Sequence, residues 1–335
     1  MGLAIGCLLA HAPTQEPAAA NTENASPLYD LAIDAWRTVR ANGVELPNER
    51  RTKVDRRALV AFQPRVVRPA GPRTFGAAWR APIAATVAAR DLLRRAAAGR
   101  VGTFDITRRE DWERTSRDLH KLVDLVAADA WMRLEQEPAT AITTATTLLR
   151  HARHLRAGGT TAMMTAATDL QDETAALLEA AIEHVDRERH ATELATCAAE
   201  LSRHLLPEPI EAFQQMLRVE IDPMLVIHHT RLRDMHQTLP AGYDEKAMRR
   251  AALSELEQVF ADCHLAGKRS VEAWGKALAE RNRDLRRAQD DAASITTKAA
   301  RGVVQLILCS VEPALARRAQ CQRRLLALHG ALTGK

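Results

Sequence analysis

Apolar residues return every three or four positions along most of the chain, the period of a helix with one buried face. The first such stripe is Leu28, Leu31, Ala32, Ala35, Trp36 and Val39. Ser26-Pro27 opens it as an N-cap followed by the residue best tolerated at the first helical position, and Asn42-Gly43 stops it. Pro47, Pro64, Pro69 and Pro72 interrupt residues 44–78, which predicts an irregular surface segment with one short helix near 55–62. Helix resumes at Pro82 and runs to Gly99. A long helix over 109–136 then presents Trp112, Leu119, Leu122, Val123, Val126, Ala130 and Leu134. Pro138 opens the next helix, whose face is Ala141, Ile142, Ala145, Leu148, Leu149, Ala152 and Leu155, ended by Gly158-Gly159. Further helices are predicted over 161–185 and 189–206.

Beyond Pro209 a helix with Ile210, Phe213 and Leu217 meets Pro223, which kinks or ends it. An apolar stretch over 224–235 reaches the turn Leu239-Pro240-Ala241-Gly242. Asp244 caps a helix carrying Met248, Leu256, Val259, Phe260 and Cys263. Residues 268–332 read as nearly continuous helix with a break at Pro313, and the run 303–311 is apolar all round, as a buried segment would be.

Helices joined by short turns predict an all-α fold, an array of antiparallel helical hairpins in a solenoid-like bundle. The shape resembles tetratricopeptide repeats, but their 34-residue signature of Trp, Gly, Tyr and Pro does not recur in register. Three regions follow: a tag and linker over 1–24, an N-terminal helical hairpin region over 25–206 with an irregular basic part at 44–80, and a C-terminal helical region over 207–335. Composition agrees. Ala, Leu, Arg and Glu dominate, aromatics are only 4% of 335 residues, and no β-branched run long enough for a packed sheet occurs.

Charge changes the picture in one place. The net charge is +5, yet residues 50–109 carry 15 Arg or Lys against three acids, a local net of +12 that leaves −7 for the rest. Arg50, Arg51, Lys53, Arg56, Arg57, Arg65, Arg68 and Arg73 are therefore candidates for contact with an anionic surface. The bland alternative is that these side chains solvate helix faces or meet acids elsewhere in the fold. Phe62 is the one aromatic residue among them, too few for a stacking platform, so nucleic-acid binding is disfavoured.

The apolar tag Met1 to Ala12 is far shorter than the roughly 20 residues that span a bilayer and lacks the basic start of a signal peptide. Ala4-Ile5-Gly6-Cys7 resembles a lipobox, which makes Cys7 a candidate lipidation site, although six residues are few for a working signal. Residues 13–24, rich in Pro, Ala, Thr and Asn, read as a flexible linker. Tag plus linker implies tethering at the cell envelope with the helical body outside the cytoplasm. The alternative is an ordinary first helix of a cytoplasmic protein.

Three short motifs carry a resemblance. Asn24-Ala25-Ser26-Pro27-Leu28-Tyr29, the helix segment Leu148-Leu149-Arg150-His151-Ala152-Arg153-His154-Leu155, and Leu206-Pro207-Glu208-Pro209 followed by Met216-Leu217-Arg218-Val219-Glu220 occur in that order. Together they resemble a bacterial family of envelope-associated all-helical proteins with an "N-A-x-x-L-Y" start. Val219 stands where that family has Gly, and its Tyr-rich C-terminal motif is absent after Leu328. The resemblance implies a helical fold and an envelope location, and implies no activity.

Candidate chemistry is sparse. His228, His229, Asp234 and His236 form the richest set of metal-ligand types, without the spacing of a known site. His151 and His154 are three apart and could share a helix face, but Arg150, Arg153 and Arg156 surround them and oppose a divalent cation, so they are expected as surface or half-buried histidines. The pair Cys263-His264 points to different faces. The remaining cysteines form no C-x-x-C, and those within helices are expected to pack as small apolar groups. There is no H-E-x-x-H, no G-x-S-x-G and no phosphate-binding Gly loop. Asp169, Asp172, Glu173, Asp290 and Asp291 are acids that polar helix faces carry routinely.

The sequence therefore favours a non-catalytic interaction or scaffold module without a cofactor, whose partner is another protein. The two rivals are a metal-binding protein or hydrolase centred on the His228 cluster, and a nucleic-acid or anionic-lipid binder using residues 50–109.

Overall fold

In the computed structural model the described residues are 25–47, 73–99, 109–157, 161–205, 243–267, 270–290 and 294–334. Within them the fold is all-α, 87% helical, with no strand. The helices are α1 (Ser26–Ala41), α2 (Arg80–Ala85), α3 (Val87–Ala98), α4 (Arg109–Arg133), α5 (Pro138–Ala157), α6 (Thr161–His184), α7 (Ala191–Leu205), α8 (Glu245–Gly267), α9 (Val271–Asp290) and α10 (Ile295–Thr333). A short 3₁₀ turn, Ala77–Trp79, leads into α2. Cys7, the tag, the short helix expected near 55–62, and the His228, His229, Asp234 and His236 cluster lie outside the described residues.

Local chemistry accounts for several boundaries. Asp244 Oδ1 accepts from the backbone N–H groups of Lys246 and Ala247 at the start of α8, as expected of its cap. Gly43, at φ 87°, takes the left-handed conformation just past the end of α1. Three expectations need correction. Ala25, not Ser26, is the N-cap of α1, and Ser26 is its first helical residue. The α1 face that turns inward is Tyr29, Ala32, Ile33 and Trp36, while Leu31 is half-exposed. Pro313 does not break the last helix. α10 runs through it, because Val311, Ala314 and Leu315 are buried on either side and their packing offsets the lost backbone bond. The true break precedes α10, where the Ser294 side chain accepts from Thr297 N–H as an N-cap.

The core has three pieces in series. One gathers α1, α3, α4, α5 and α6 around Trp36, Leu93, Leu122 and Met163. A second joins the ends of α4 and α5 to α6, α7 and α10 around Ile142, Leu149, Leu178 and Leu325. A third packs α8, α9 and α10 around Met248, Trp274, Val304 and Leu315. α5 packs along α6, and α9 along α10, so chain neighbours do pair. However, α10 also lies on α6 and α7, elements far from it in sequence. A solenoid joins each unit only to its neighbours, so these contacts establish an all-α body rather than an array of hairpins. Of the described helices, α10 is the one long and apolar enough to cross a membrane by length and composition. Its apolar window is 47% buried inside the protein.

Several buried ionic groups are held in internal pairs. Arg90, 4% exposed, donates to Asp129 at 2.6 Å and to the Ile83 carbonyl at 2.9 Å, tying α3 to α4 and to the end of α2. Glu200 on α7, also buried, meets Arg150, Arg153 and Arg203 at 3.5, 3.1 and 2.8 Å. Arg324 on α10 holds Asp172 and Glu179 of α6. Cys197, Cys263 and Cys321 are free and buried, and burial pushes their thiols up to about 11, 11 and 12.

Candidate functional site

The cleft that combines volume with titratable groups lies between α4, α5 and α6, and measures about 270 Å³. α4 contributes Leu119, His120, Val123 and Asp124, which the helical period places on one face. α6 contributes Ala166, Asp169, Leu170 and Glu173 by the same spacing, and α5 contributes His151 and Leu155. Arg73, from the segment before the 3₁₀ turn, completes the lining. Leu119, Val123, Leu155, Ala166 and Leu170 are all buried. Arg73, Asp124, Asp169 and Glu173 are half-exposed, and His120 is exposed. The cleft thus has apolar walls and a polar, predominantly acidic mouth.

The mouth is organised by two arginines. Arg73 stands between Asp124 at 3.8 Å and Glu173 at 3.3 Å, and Arg317 of α10 pairs with Asp169. Desolvation pushes the carboxyls of Asp124, Asp169 and Glu173 upward, and the facing guanidinium opposes it in each case. Three carboxylates thus face two guanidiniums and the His120 ring, which also opposes the upward shift of each carboxyl.

Behind the cleft runs a buried chain of hydrogen bonds. Tyr29 of α1 places its hydroxyl 2.9 Å from His151 Nδ1 and 2.8 Å from His154 Nδ1. His154 Nε2 lies 3.1 Å from the carbonyl of Gly99, which closes α3. Gly99 is required where the start of α1 passes it, since a Cβ there would sit 2.9 Å from the Cβ of Ala25. Both histidines are 1% exposed. Burial, with the His154 ring beside it, pushes His151 down to about 3, and burial with Arg153 nearby pushes His154 down to about 4. Both are neutral near pH 7. The expectation of surface or half-buried histidines is therefore overturned. Arg150 and Arg153, which suggested it, turn to Glu200 on another side of α5.

Proton positions follow from the chain's fixed end. A carbonyl only accepts, so His154 Nε2–H donates to Gly99 and neutral His154 offers Nδ1 as an acceptor. Tyr29 O–H then donates to His154 Nδ1, and its oxygen accepts from His151 Nδ1–H. His151 is left with an unprotonated Nε2. That nitrogen is buried and has no hydrogen-bond partner among the described residues.

Of the basic candidates, Arg73 is described, and it serves the cleft mouth. Arg50, Arg51, Lys53, Arg56, Arg57, Arg65 and Arg68 lie outside the described residues. Further along the same stretch, Arg90 and Arg94 both pair with Asp129. Among the described residues no group of three or more His, Cys, Asp and Glu side chains is placed to hold a metal ion. The sequence pattern singled out neither His120 nor Asp124, and it offered Tyr29 only within the Asn24–Tyr29 motif, without a site role. The Tyr29, Ala32, Ile33, Trp36 spacing was the available signal for Tyr29. No known protein family, no curated protein and no solved structure matches the chain.

Proposed function

We propose that the chain is a non-catalytic helical binding module that works tethered at the cell envelope and presents the α4–α5–α6 cleft to another protein. The observation that carries the reading is the cleft itself: apolar walls beneath a predominantly acidic mouth, beside a buried His151 nitrogen that has no hydrogen-bond partner among the described residues. Its volume of about 270 Å³ sits just below the usual range of small-molecule pockets, roughly 300 to 1,000 Å³. The fitting occupant is therefore one side chain of a larger partner or a small molecule. Binding without turnover is supported by the carboxylates, each engaged by an arginine, and by thiols that burial keeps protonated.

We assign the tether to the N-terminal tag rather than to α10, which packs on α6, α7, α8 and α9. The test uses the full chain expressed from its native upstream sequence. The wild type should fractionate with membranes and co-purify with a partner that the Asp124→Asn/Glu173→Gln variant loses while remaining membrane-bound. Recovery of the chain as free soluble protein removes the tether, and an unchanged partner in the variant removes the cleft.

A further inference from the structure

On another side of α5 from the cleft, positive charge is left over. Glu200 of α7 is 1% exposed and lies under three guanidiniums. Arg153 donates to its Oε1 at 3.1 Å, and that one positive charge is enough to neutralise the carboxylate. Arg150 and Arg203 both approach the other oxygen, Oε2, at 3.5 and 2.8 Å, so they converge from α5 and α7 on a single atom. Among the described residues neither is paired with any other acid. His204 Nε2, 3.8 Å from Oε1, adds no charge, because burial, with Arg156 and Arg153 nearby, pushes that ring down to about 3.

This surplus is not how the fold treats every buried acid. Asp129 also meets three arginines, Arg90, Arg94 and Arg133. There, however, Asp91 holds Arg94 at 2.7 Å and Glu137 faces Arg133 at 3.7 Å, so the charges cancel. The helix dipole accounts for only part of the difference. Arg203 lies in the last turn of α7, where a cation is favoured, but the effect fades within that turn. Arg150 stands about two turns before the end of α5, outside its range.

We propose that Arg150 and Arg203 form an anion site between α5 and α7 that takes a phosphate monoester, with Glu200 as the residue that positions them. Two surplus positive charges match the nearly two negative charges that such a group carries at pH 7, and its terminal oxygens accept from both guanidiniums at once. A carboxylate or a phosphate diester brings a single negative charge and leaves one guanidinium unmatched. Glu200 gathers the two side chains at one point before a ligand arrives, which lowers the entropy lost on binding. Both reach solvent, Arg150 with 31% and Arg203 with 57% of the side chain exposed. Soluble phosphate esters and the headgroup of phosphatidic acid carry the same group.

The full chain is titrated calorimetrically at pH 7 and low salt with methyl phosphate, dimethyl phosphate and acetate. Methyl phosphate should bind saturably, about tenfold or more tighter than either monoanion. Arg203→Gln and Arg150→Gln should each weaken it about tenfold through the loss of charged hydrogen bonds. Either change leaves Glu200 with two arginines, so both variants should keep the circular dichroism of the wild type. Arg323→Gln removes the same charge from an exposed place on α10 that faces Glu272, and it should leave binding unchanged. Sedimentation with phosphatidylcholine vesicles containing phosphatidic acid separates the sources. A vesicle-bound fraction that Arg203→Gln loses assigns the phosphate to a lipid. Vesicle binding indifferent to Arg203, with methyl phosphate still bound, assigns it to a soluble ester. Absence of saturable binding, equal affinity for all three anions, or an equal loss in Arg323→Gln overturns the site, and each leaves the reading of the cleft where it stands.

Discussion

Replacing Tyr29 by Phe removes one oxygen atom from the interior and nothing else. The ring remains against His151 and His154, with centroids at 5.1 and 5.9 Å, so no cavity opens. Two hydrogen bonds disappear, at 2.8 and 2.9 Å, and both former partners stay buried. His154 cannot recover by moving its proton, because Nε2–H is committed to the Gly99 carbonyl, so its Nδ1 is stranded as an acceptor. His151 can move its proton to Nε2, which limits its loss. Each net bond is worth about 1 kcal/mol and each stranded group costs about 1–3 kcal/mol, so the substitution should destabilise by about 2–4 kcal/mol. Urea unfolding followed by circular dichroism measures this as a lower midpoint at an unchanged slope. A loss below about 0.5 kcal/mol, the scale of an ordinary surface change, would mean that the hydroxyl does not bridge the two rings.

Other expectations follow from the same packing. His151, His154 and His204 have folded values pushed down to about 3, 4 and 3 by burial, against 6.5 when unfolded. The unfolded chain therefore binds more protons, and stability should be complete above pH 6.5 and fall below it, by about 4 kcal/mol for the three at pH 5.5. Asp124, Asp169 and Glu173 are raised and act in the opposite direction only nearer their own range. An unfolding free energy flat from pH 7.5 to 5.5 would place these rings in water. Leu149→Ala, at a fully buried position between α5 and its neighbours, should cost about 2–5 kcal/mol in the same urea assay. Asp129→Ala strands the buried Arg90 and should cost about 3–5 kcal/mol. Arg90→Met should cost less, since Asp129 keeps Arg133 at 3.0 Å and Arg94 at 3.6 Å, and the reverse order would contradict this assignment.

Periodicity made the helices legible wherever one face alone is buried. Every member of the Leu148, Leu149, Ala152, Leu155 stripe on α5 is buried, and Leu119, Leu122 and Val126 on α4 are too. The reading slipped on α1, because Leu31 outweighs Tyr29 in apolar character while Tyr29 is the residue with buried partners more than 120 positions away. It slipped at Pro313 because propensity is local, whereas two core pieces keep α10 helical through it. The cleft was barely legible. His151 and His154 stood out, but the arginines beside them pointed to the surface, and only the placement of Glu200 on α7 explains where those charges go. Asp169 and Glu173 were visible as acids of a polar helix. Their meeting with Asp124 and Arg73 depends on how α4 packs beside α6 and on where the chain passes before α2, which no local spacing encodes.

The most direct test of the cleft as the recognition element is photocrosslinking in intact cells, with a photoreactive amino acid placed at His120. That side chain is exposed at the cleft mouth. The same group at Leu326, 59% exposed on α10 and outside the cleft, serves as the control. The account predicts one discrete adduct at His120, abolished by Asp124→Asn/Glu173→Gln, and none at Leu326. Equal adducts at both positions, or an adduct at His120 that survives the loss of both carboxylates, would contradict it.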